Sequence, residues 1–210
     1  MFTLWFMGRP SAGKSTLASK VEEELVRNGY GIENLDGDEI RKHLHPDLGF
    51  SREDRRTNNR RTAYIAKLLN RNDIPVIVGM ITPFRDAQEQ AREIIEDEGD
   101  FVLIYVKCSV ETAEERDPKG LYEQAKEGNI EKFTGIDHPF QEPHNPDIVV
   151  STEDSSVDDG VEQILSSLEE LGVLDRQLED YDFSIGAGEE RQIAEGLEDR
   201  GLLEEDTSDD

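Results

Sequence analysis

The chain of 210 residues carries 49 acidic and 23 basic side chains, which gives a formal net charge of −26 at pH 7. Such a surface repels a phosphate backbone, so we expect no nucleic-acid partner. No apolar run reaches the length of a membrane span, and no basic segment precedes the short apolar run at the N-terminus, so we expect neither a membrane partner nor a signal peptide. The single cysteine, Cys108, cannot form an intramolecular disulfide, which favours the cytoplasm as its location.

The first predicted elements are a buried strand over residues 4–7, a glycine-rich loop and a helix from Lys14 to Asn28. From Gly8 to Ser15 the loop has the spacing Gly-x-x-x-x-Gly-Lys-Ser of a phosphate-binding loop. Backbone N–H groups and the helix N-terminus attract an anion there. The side chain of Lys14 can reach the β- and γ-phosphates, and the Ser15 hydroxyl can bind Mg²⁺. We therefore predict a nucleotide site formed by Gly8, Ser11, Ala12, Gly13, Lys14, Ser15 and Thr16.

Strand-like and helix-like segments alternate after this loop. They are a weak strand over 31–35, a helix over 51–70 with a capping box at Ser51, a strand over 75–80, a helix over 86–96, strands over 101–106 and 148–150, and a helix over 157–171. This alternation predicts an α/β fold with a mostly parallel five-stranded sheet and helices on both faces. We expect one domain over 1–171 and an acidic C-terminal extension over 172–210, partly disordered.

The negative charge belongs to the whole surface and not only to the extension. From Gly172 onward there are 14 acidic and 3 basic residues, a balance of −11, which leaves −15 for residues 1–171. Self-repulsion of this size destabilises a compact chain unless counter-ions screen it. We favour the hypothesis of a protein from a high-salt cytoplasm, and the alternative is an ordinary acidic protein with an acidic tail.

Polar residues follow the predicted strands, where parallel sheets bind their ligands. After the second strand, Asp36 can assist Ser15 in binding Mg²⁺ through a water molecule. The carboxylate of Asp38 can orient a hydroxyl for in-line attack or accept its proton, and the alternative is a surface turn carboxylate. After the fourth strand, Arg116 and Lys119 can stabilise charge on a phosphoryl group in transfer, and the alternative is a pair of helix-end charges.

Basic residues cluster locally in this acidic chain. Arg41 lies three residues after Asp38, and Arg55 and Asn58 have the same spacing, so a helix places each pair on one side. Arginine binds phosphate or sulfate oxygens through its planar fork, which favours a dianionic substrate. The alternative is a solvated helix face, and we expect such bystanders among Arg52, Arg56, Arg60 and Arg61.

Several motifs resemble the adenylyl-sulfate kinase family in unbroken order over residues 3–150. They are residues 35–41 (Leu-Asp-Gly-Asp-Glu-Ile-Arg), 49–61, 81–85 (Ile-Thr-Pro-Phe-Arg), 115–122 (Glu-Arg-Asp-Pro-Lys-Gly-Leu-Tyr) and 133–137 (Phe-Thr-Gly-Ile-Asp). This resemblance implies a P-loop NTPase fold of the kinase type. It also implies ATP and Mg²⁺ as cofactors, phosphorylation of the 3′-hydroxyl of adenylyl sulfate, and a homodimer.

The resemblance also implies residue roles. The positions that match those holding adenylyl sulfate are Asp38, Arg41, Phe50, Arg55 and Asn58, with Thr82 at a serine position and Phe133 as an aromatic beside the adenine. Each phenylalanine is more often a core residue, but both lie in polar segments. Lys119 belongs to the mobile lid of the family, and the long polar stretch over 117–143 suits a lid that excludes water. We expect Asp38, Lys14 and Lys119 to be catalytic.

The phosphate loop departs from the family. Arg9 and Pro10 replace a Leu-Ser pair, and Ser11 and Ala12 replace Gly-Ser, so we expect a backbone donor to be lost and the left-handed conformation at Ser11 to be limited. Two alternatives therefore stay open: a kinase for another small hydroxylated acceptor, and a non-catalytic nucleotide-binding module.

Overall fold

Five parallel strands form the central sheet of the computed structural model, which describes residues 1–130, 132–136 and 138–174. The strands are β1 (Phe2–Met7), β2 (Glu33–Asp36), β3 (Val76–Gly79), β4 (Asp100–Lys107) and β5 (Ile148–Ser151), in the order β2-β3-β1-β4-β5. Every neighbouring pair is parallel, as the alternation of elements predicts. The predicted disorder of the acidic extension falls on residues 175–210, which lie outside the described residues.

Seven helices accompany this sheet in the described part of the chain. They are α1 (Lys14–Arg27), α2 (Gly37–His43), α3 (Arg52–Asn70), α4 (Arg85–Ile95), α5 (Val110–Arg116), α6 (Leu121–Lys126) and α7 (Val157–Glu170). The capping box predicted at Ser51 is present, with Asp54 as its third helical residue. No helix among the described residues is long and apolar enough to cross a bilayer.

The core consists of one layer on each face of the sheet. All six residues of β1 are buried, because a central parallel strand is covered on both faces. Leu4 and Phe6 pack with α1 and α7, whereas Trp5 and Met7 pack on the other face with α3 and α4. This confirms the predicted α/β architecture. Because all five strands are parallel, their carboxyl ends lie at the same edge of the sheet.

The segment Asp36-Gly37-Asp38 begins a short helix, as the spacing of Asp38 and Arg41 predicts, and does not form the surface turn that was the alternative. The Asp36 carboxylate accepts hydrogen bonds from the amides of Asp38 (2.9 Å) and Glu39 (3.3 Å), which caps α2. Because α2 spans Asp38 and Arg41, both lie on a single short helix. The stretch expected to be a polar lid also contains a helix, α6, whose Tyr122 is buried in the core.

Candidate active site

A cavity of about 1120 Å³ opens at the carboxyl edge of the sheet. Its walls come from the segments that follow β1, β2, β3 and β5, and from residues around α3 and α5. The predicted site residues that line it are Ser11, Gly13, Lys14, Ser15, Thr16, Asp36, Asp38, Arg41, Phe50, Arg55, Asn58, Thr82, Arg116, Lys119 and Phe133. Two further predicted residues, Gly8 and Ala12, do not line the cavity and instead shape the loop.

The phosphate loop has glycine or a left-handed residue where its backbone turns. A Cβ on Gly8 would lie 2.4 Å from the carbonyl oxygen of Val106, so only glycine fits beside β4. Gly13 has φ 95°, and Ser11 has φ 60°. The expectation that Ser11 would limit a positive φ is therefore wrong, because serine adopts the conformation at a cost in strain. Ala12 is buried, and its amide bonds the Arg9 carbonyl at 3.3 Å.

Lys14 lies at the inner end of this loop. Its ammonium donates to the carbonyl oxygen of Arg9 at 2.7 Å. Desolvation lowers the pKa of Lys14 to about 8, and the negative charges of Asp38 and Asp36 act in the opposite direction. The two carboxylates therefore lie close enough to the ammonium to interact with it, as the prediction of a shared site requires.

A hydroxyl and a carboxylate oxygen meet below the loop. The Ser15 hydroxyl donates to Asp36 Oδ2 at 3.3 Å, while Oδ1 of the same carboxylate caps α2. Hard oxygen atoms of this kind suit Mg²⁺, which keeps several waters and takes few protein ligands. The described residues contain no cluster of three His, Cys, Asp or Glu side chains that could hold a metal.

Asp38 and Lys119 form an ion pair across the mouth of the cavity. Lys119 Nζ lies 2.5 Å from Asp38 Oδ2, and this hydrogen bond raises the pKa of Lys119. The carboxylate comes from the first turn of α2, and the lysine comes from the segment between α5 and α6. Two of the three residues predicted to be catalytic therefore lie beside each other.

Two arginines cover the ring of Phe50. The guanidinium carbon of Arg41 lies 4.6 Å from the ring centroid, and that of Arg55 lies 5.5 Å from it. Arg41 also donates to the Gly49 carbonyl at 2.7 Å. Arg55 is buried and donates to the carbonyl oxygens of Phe50 (3.2 Å) and Lys132 (2.8 Å). These carbonyl partners fix two cations on one wall of the cavity.

Asn58 has a buried partner that the sequence did not single out. Its Oδ1 lies 2.7 Å from His45 Nδ1, and both residues are buried. An amide oxygen only accepts hydrogen bonds, so this pattern assigns the proton to Nδ1 of His45. His45 lies in the loop after α2, and it orients the amide of a cavity residue.

Thr82 and Phe133 both line the cavity, and both are buried. The Thr82 hydroxyl accepts from Trp5 Nε1 (2.8 Å) and donates to Asn59 Oδ1 (3.4 Å). Thr82 is buried with φ 43°, so its hydroxyl is used inside the protein and a ligand can meet only its remaining surface. Phe133 lies in a loop, as expected, but it is buried in the core, packs edge-on against Tyr122 at 4.9 Å and also lines the cavity.

Arg116 is tied to the phosphate loop through Thr152, which sequence analysis missed. The guanidinium donates to the Thr152 hydroxyl at 2.9 Å and to the Thr152 carbonyl. The same hydroxyl donates to the Ala12 carbonyl at 3.0 Å. A threonine just after a short final strand carries no sequence pattern, so only the fold reveals this contact.

The cavity is cationic although the chain is acidic. In the described part of the chain, the charged side chains that line it are Lys14, Arg41, Arg55, Arg116 and Lys119, against Asp36 and Asp38. The neighbouring Arg56 and Arg61 pair instead with Asp86 and Asp47, outside the cavity, as expected of bystanders. Positive charge is therefore concentrated where a polyanion would bind.

Comparisons with known proteins agree with this site. The family model described as adenylylsulphate kinase matches residues 1–151. Adenylyl-sulfate kinases of Halothermothrix orenii and Staphylococcus carnosus are each 45% identical to the chain, covering 82% and 81% of it and 91% and 85% of their own lengths.

A solved structure gives the same result. The Mycobacterium tuberculosis APS kinase in complex with AMPPNP and APS is 40% identical, with a TM-score of 0.77, over 80% of this chain and 96% of that one. The phosphate loop, the cationic cavity and these matches agree, and the chain belongs to the adenylyl-sulfate kinase family, with its P-loop kinase fold.

Proposed function

We propose that the chain transfers the γ-phosphoryl group of ATP to the ribose 3′-hydroxyl of adenylyl sulfate, giving 3′-phosphoadenylyl sulfate and ADP. The observation that carries this proposal is that the phosphate loop and Asp38 line one cavity, with Lys119 bonded to that carboxylate. A nucleotide held by the loop and a sugar hydroxyl held at Asp38 then lie on facing walls.

The nucleotide end of the cavity is the phosphate loop. Its backbone amides, the N-terminus of α1 and the ammonium of Lys14 bind the phosphates of ATP. The Ser15 hydroxyl would hold Mg²⁺, with Asp36 acting through a water molecule, since these two oxygen-bearing side chains lie 3.3 Å apart. When bound, the ion neutralises charge on the β- and γ-phosphates.

The acceptor end lies over α2 and α3. Arg41 and Arg55 bind the phosphate and sulfate oxygens of adenylyl sulfate, because each guanidinium is fixed by backbone carbonyls before the ligand arrives. The adenine packs against Phe50 and Phe133, both of which line the cavity. The amide of Asn58, oriented by His45, adds a hydrogen-bonding group to this wall.

Catalysis consists of positioning and charge stabilisation. Asp38 orients the 3′-hydroxyl toward the γ-phosphorus and accepts its proton as the new O–P bond forms and the bond to ADP breaks. Lys14, Lys119 and Arg116 supply the positive charge around the phosphoryl group in transfer. Little other chemistry is required of the protein, because phosphoryl transfer depends mainly on alignment and electrostatics.

A coupled ADP-release assay with and without adenylyl sulfate tests this function directly. We expect ADP release that depends on adenylyl sulfate, and we expect mass spectrometry to detect 3′-phosphoadenylyl sulfate as the product. Release with gluconate or another polyol but not with adenylyl sulfate would point to a different acceptor. Binding of ATP without release of ADP, whichever acceptor is added, would identify a non-catalytic nucleotide-binding module.

We infer that the enzyme works in the cytoplasm at high salt, because the chain has one cysteine and a net charge of −26.

We also infer a homodimer. Exposed apolar side chains support it, since Tyr64 and Leu68 lie one turn apart on α3 and remain 54% and 39% exposed. Sedimentation velocity at high salt tests the dimer, and a monomer at working concentration would exclude it.

We propose that residues 172–210 are dispensable for the reaction. Among the described residues, those that line the cavity lie between Pro10 and Val157, and the family match ends at residue 151. A chain ending at residue 175 should keep its turnover with adenylyl sulfate. Loss of turnover in this truncated chain, while ATP binding persists, would assign the extension a part in the reaction.

A further inference from the structure

The side chain of Arg9, the second residue of the phosphate loop, contacts the segment that carries the cavity residue Phe133. Its guanidinium carbon lies 4.8 Å from the centroid of the Phe140 ring. The same guanidinium passes 3.4 Å from the position of a Cβ on Gly135. Residues 132–136 and 138–142, which we call the roof segment, therefore rest on the phosphate loop through one arginine.

The neighbouring loop residue holds the roof segment from a second side. The Tyr122 hydroxyl donates to the carbonyl of Pro10 at 3.3 Å and is buried. The ring of Tyr122 packs edge-on against Phe133 at 4.9 Å, and Phe133 lines the cavity. Arg9 and Pro10 stand where the family's loop has a Leu-Ser pair, so the contact of the Arg9 side chain depends on this substitution, whereas the Pro10 carbonyl is a backbone group that any residue supplies.

The rear of the roof segment is fixed to the sheet and to the loop after β3. The Phe140 ring stacks on Tyr105 of β4 at 6.2 Å. The Gln141 amide donates to the Pro83 carbonyl at 2.9 Å, and the Gln141 side chain accepts from the Arg85 amide at 3.0 Å. These contacts do not involve the phosphate loop, whereas the Arg9 side chain links that loop to the roof segment directly.

The backbone of Arg9 is also bonded to the lysine that binds phosphate. Its carbonyl accepts a hydrogen bond from Lys14 at 2.7 Å, and the amide of Ala12 bonds the same oxygen at 3.3 Å. A phosphate group bound in the loop shares the ammonium of Lys14 with this carbonyl. Arg9 thus has its backbone in the nucleotide site and its side chain on the roof segment, which carries Phe133 into the acceptor end.

We propose that Arg9 is a positioning residue that couples nucleotide binding in the phosphate loop to the placement of the roof segment over the acceptor. The inference rests on the proposed function only in naming adenylyl sulfate as that acceptor. A planar guanidinium on an aromatic face transmits a shift of the loop to the roof segment, whereas a lysine cannot stack in this way.

A double-mutant cycle on steady-state kinetics tests the coupling. Arg9→Leu should raise KM for adenylyl sulfate about fivefold, the loss expected for one half-buried cation–π contact, while Kd for AMPPNP changes less than about twofold. Phe140→Leu should give the same increase, and the double variant should add nothing to either single change. Phe140→Tyr, which keeps the ring, should keep the original KM.

Hydrogen exchange supplies a readout that needs no acceptor. AMPPNP should slow exchange of the amides over 138–142 in the original chain and leave them unchanged in Arg9→Leu. The matched control is Arg92→Leu, because the Arg92 guanidinium also lies 4.8 Å from an aromatic ring, that of Phe101, away from the cavity. This control should keep both the KM and the exchange response.

The outcomes separate this inference from the proposed function. If the original chain does not phosphorylate adenylyl sulfate, the proposed function fails, and the exchange experiment still decides the coupling. An unchanged exchange response in Arg9→Leu overturns the coupling. A parallel loss of thermal stability, nucleotide affinity and kcat, with no separate effect on KM for the acceptor, also overturns it, because Arg9 would then serve only the fold.

Discussion

Lys119 Nζ lies 2.5 Å from Asp38 Oδ2, although 81 residues separate the two in the sequence. The two side chains are 61% and 74% exposed. An ion pair this exposed contributes only about 0–1 kcal/mol to stability, because water screens the charges. Its consequence is therefore local: the carboxylate proposed to orient the hydroxyl and the lysine proposed to stabilise the phosphoryl group lie at one point of the cavity wall.

Replacing Asp38 should remove turnover and leave the fold intact. We expect Asp38→Asn to lower kcat about 1000-fold, because an amide keeps the shape but cannot take the proton. The melting temperature and the Kd for AMPPNP should stay unchanged, since the ion pair with Lys119 is exposed. The coupled ADP-release assay, isothermal titration calorimetry and a thermal melt measure these three quantities.

The matched control for this variant is Asp86→Asn. Asp86 also pairs with a cation, Arg56, but it does not line the cavity, so kcat should stay within about twofold of the original value. Full turnover in Asp38→Asn would remove this carboxylate from the mechanism. An equal loss in both variants would indicate a general effect of removing surface charge.

Nucleotide binding should take up a proton above pH 8. Desolvation lowers the pKa of Lys14 to about 8, so the side chain is largely neutral between that pH and its ordinary value of 10.5. A bound triphosphate favours the charged form and raises this pKa. In this window AMPPNP should therefore bind with uptake of a proton, which disappears as the pH falls below about 7.

Calorimetry in buffers of different ionisation enthalpy measures this uptake. At about pH 8.5 the observed binding enthalpy should vary with the buffer, and at pH 6.5 it should not. Lys14→Arg is the control, because a guanidinium stays charged throughout and should show no buffer dependence from this position. A buffer dependence that survives in Lys14→Arg would assign the proton to another group.

Much of this molecule could be predicted because its signals are local and strong. β1 and β4 are apolar runs followed by polar residues, and the loop from Gly8 to Ser15 has a fixed spacing. Parallel strands then bring their polar ends to one edge, which is why Asp38 and Lys14 share a cavity as expected. Neither conclusion needed knowledge of side-chain contacts.

The remaining features depend on contacts between distant residues. Helices α2, α5 and α6 have seven, seven and six residues, too few to establish a helical period in the sequence. The buried pair of His45 and Asn58, and the bonds from Thr152 to the loop, join segments that nothing in the sequence connects. Thr82 matched the expected position, but its hydroxyl direction depends on Trp5, 77 residues away.

Replacing Ser11 by glycine should stabilise the phosphate loop. A left-handed residue with a Cβ costs about 1–2 kcal/mol, and Ser11 has φ 60°. Glycine removes this cost, but its greater flexibility stabilises the unfolded chain by about 0.4–1 kcal/mol. We therefore expect the free energy of unfolding to rise by about 0.5 kcal/mol. Urea denaturation measures the change, and the Kd for AMPPNP should not weaken.

The control for this change is Ser19→Gly. Ser19 is an exposed residue of α1, and glycine in an ordinary helical position should cost about 0.5 kcal/mol. The two serine-to-glycine changes should therefore shift stability in opposite directions. Destabilisation by both would show that Ser11 is not strained in the folded protein.

The acidic surface should make stability depend on salt. With a net charge of −26, folding brings like charges together, and the screening length falls from about 10 Å at 0.1 M salt to about 3 Å at 1 M. We expect the melting temperature to rise by about 10 °C between 0.1 M and 2 M KCl. An uncharged osmolyte such as sucrose at matched osmolality should give a much smaller rise, because it does not screen charge.

A truncated chain decides which acidic residues cause this dependence. Residues 1–171 carry −15 of the net charge, so the chain ending at residue 175 should keep most of the rise with KCl. If truncation abolishes the rise, the salt dependence comes from the extension, as in an ordinary protein with an acidic tail. If the full chain has the same melting temperature in 0.1 M and 2 M KCl, the hypothesis of a protein from a high-salt cytoplasm is wrong, because its charges would then need no screening.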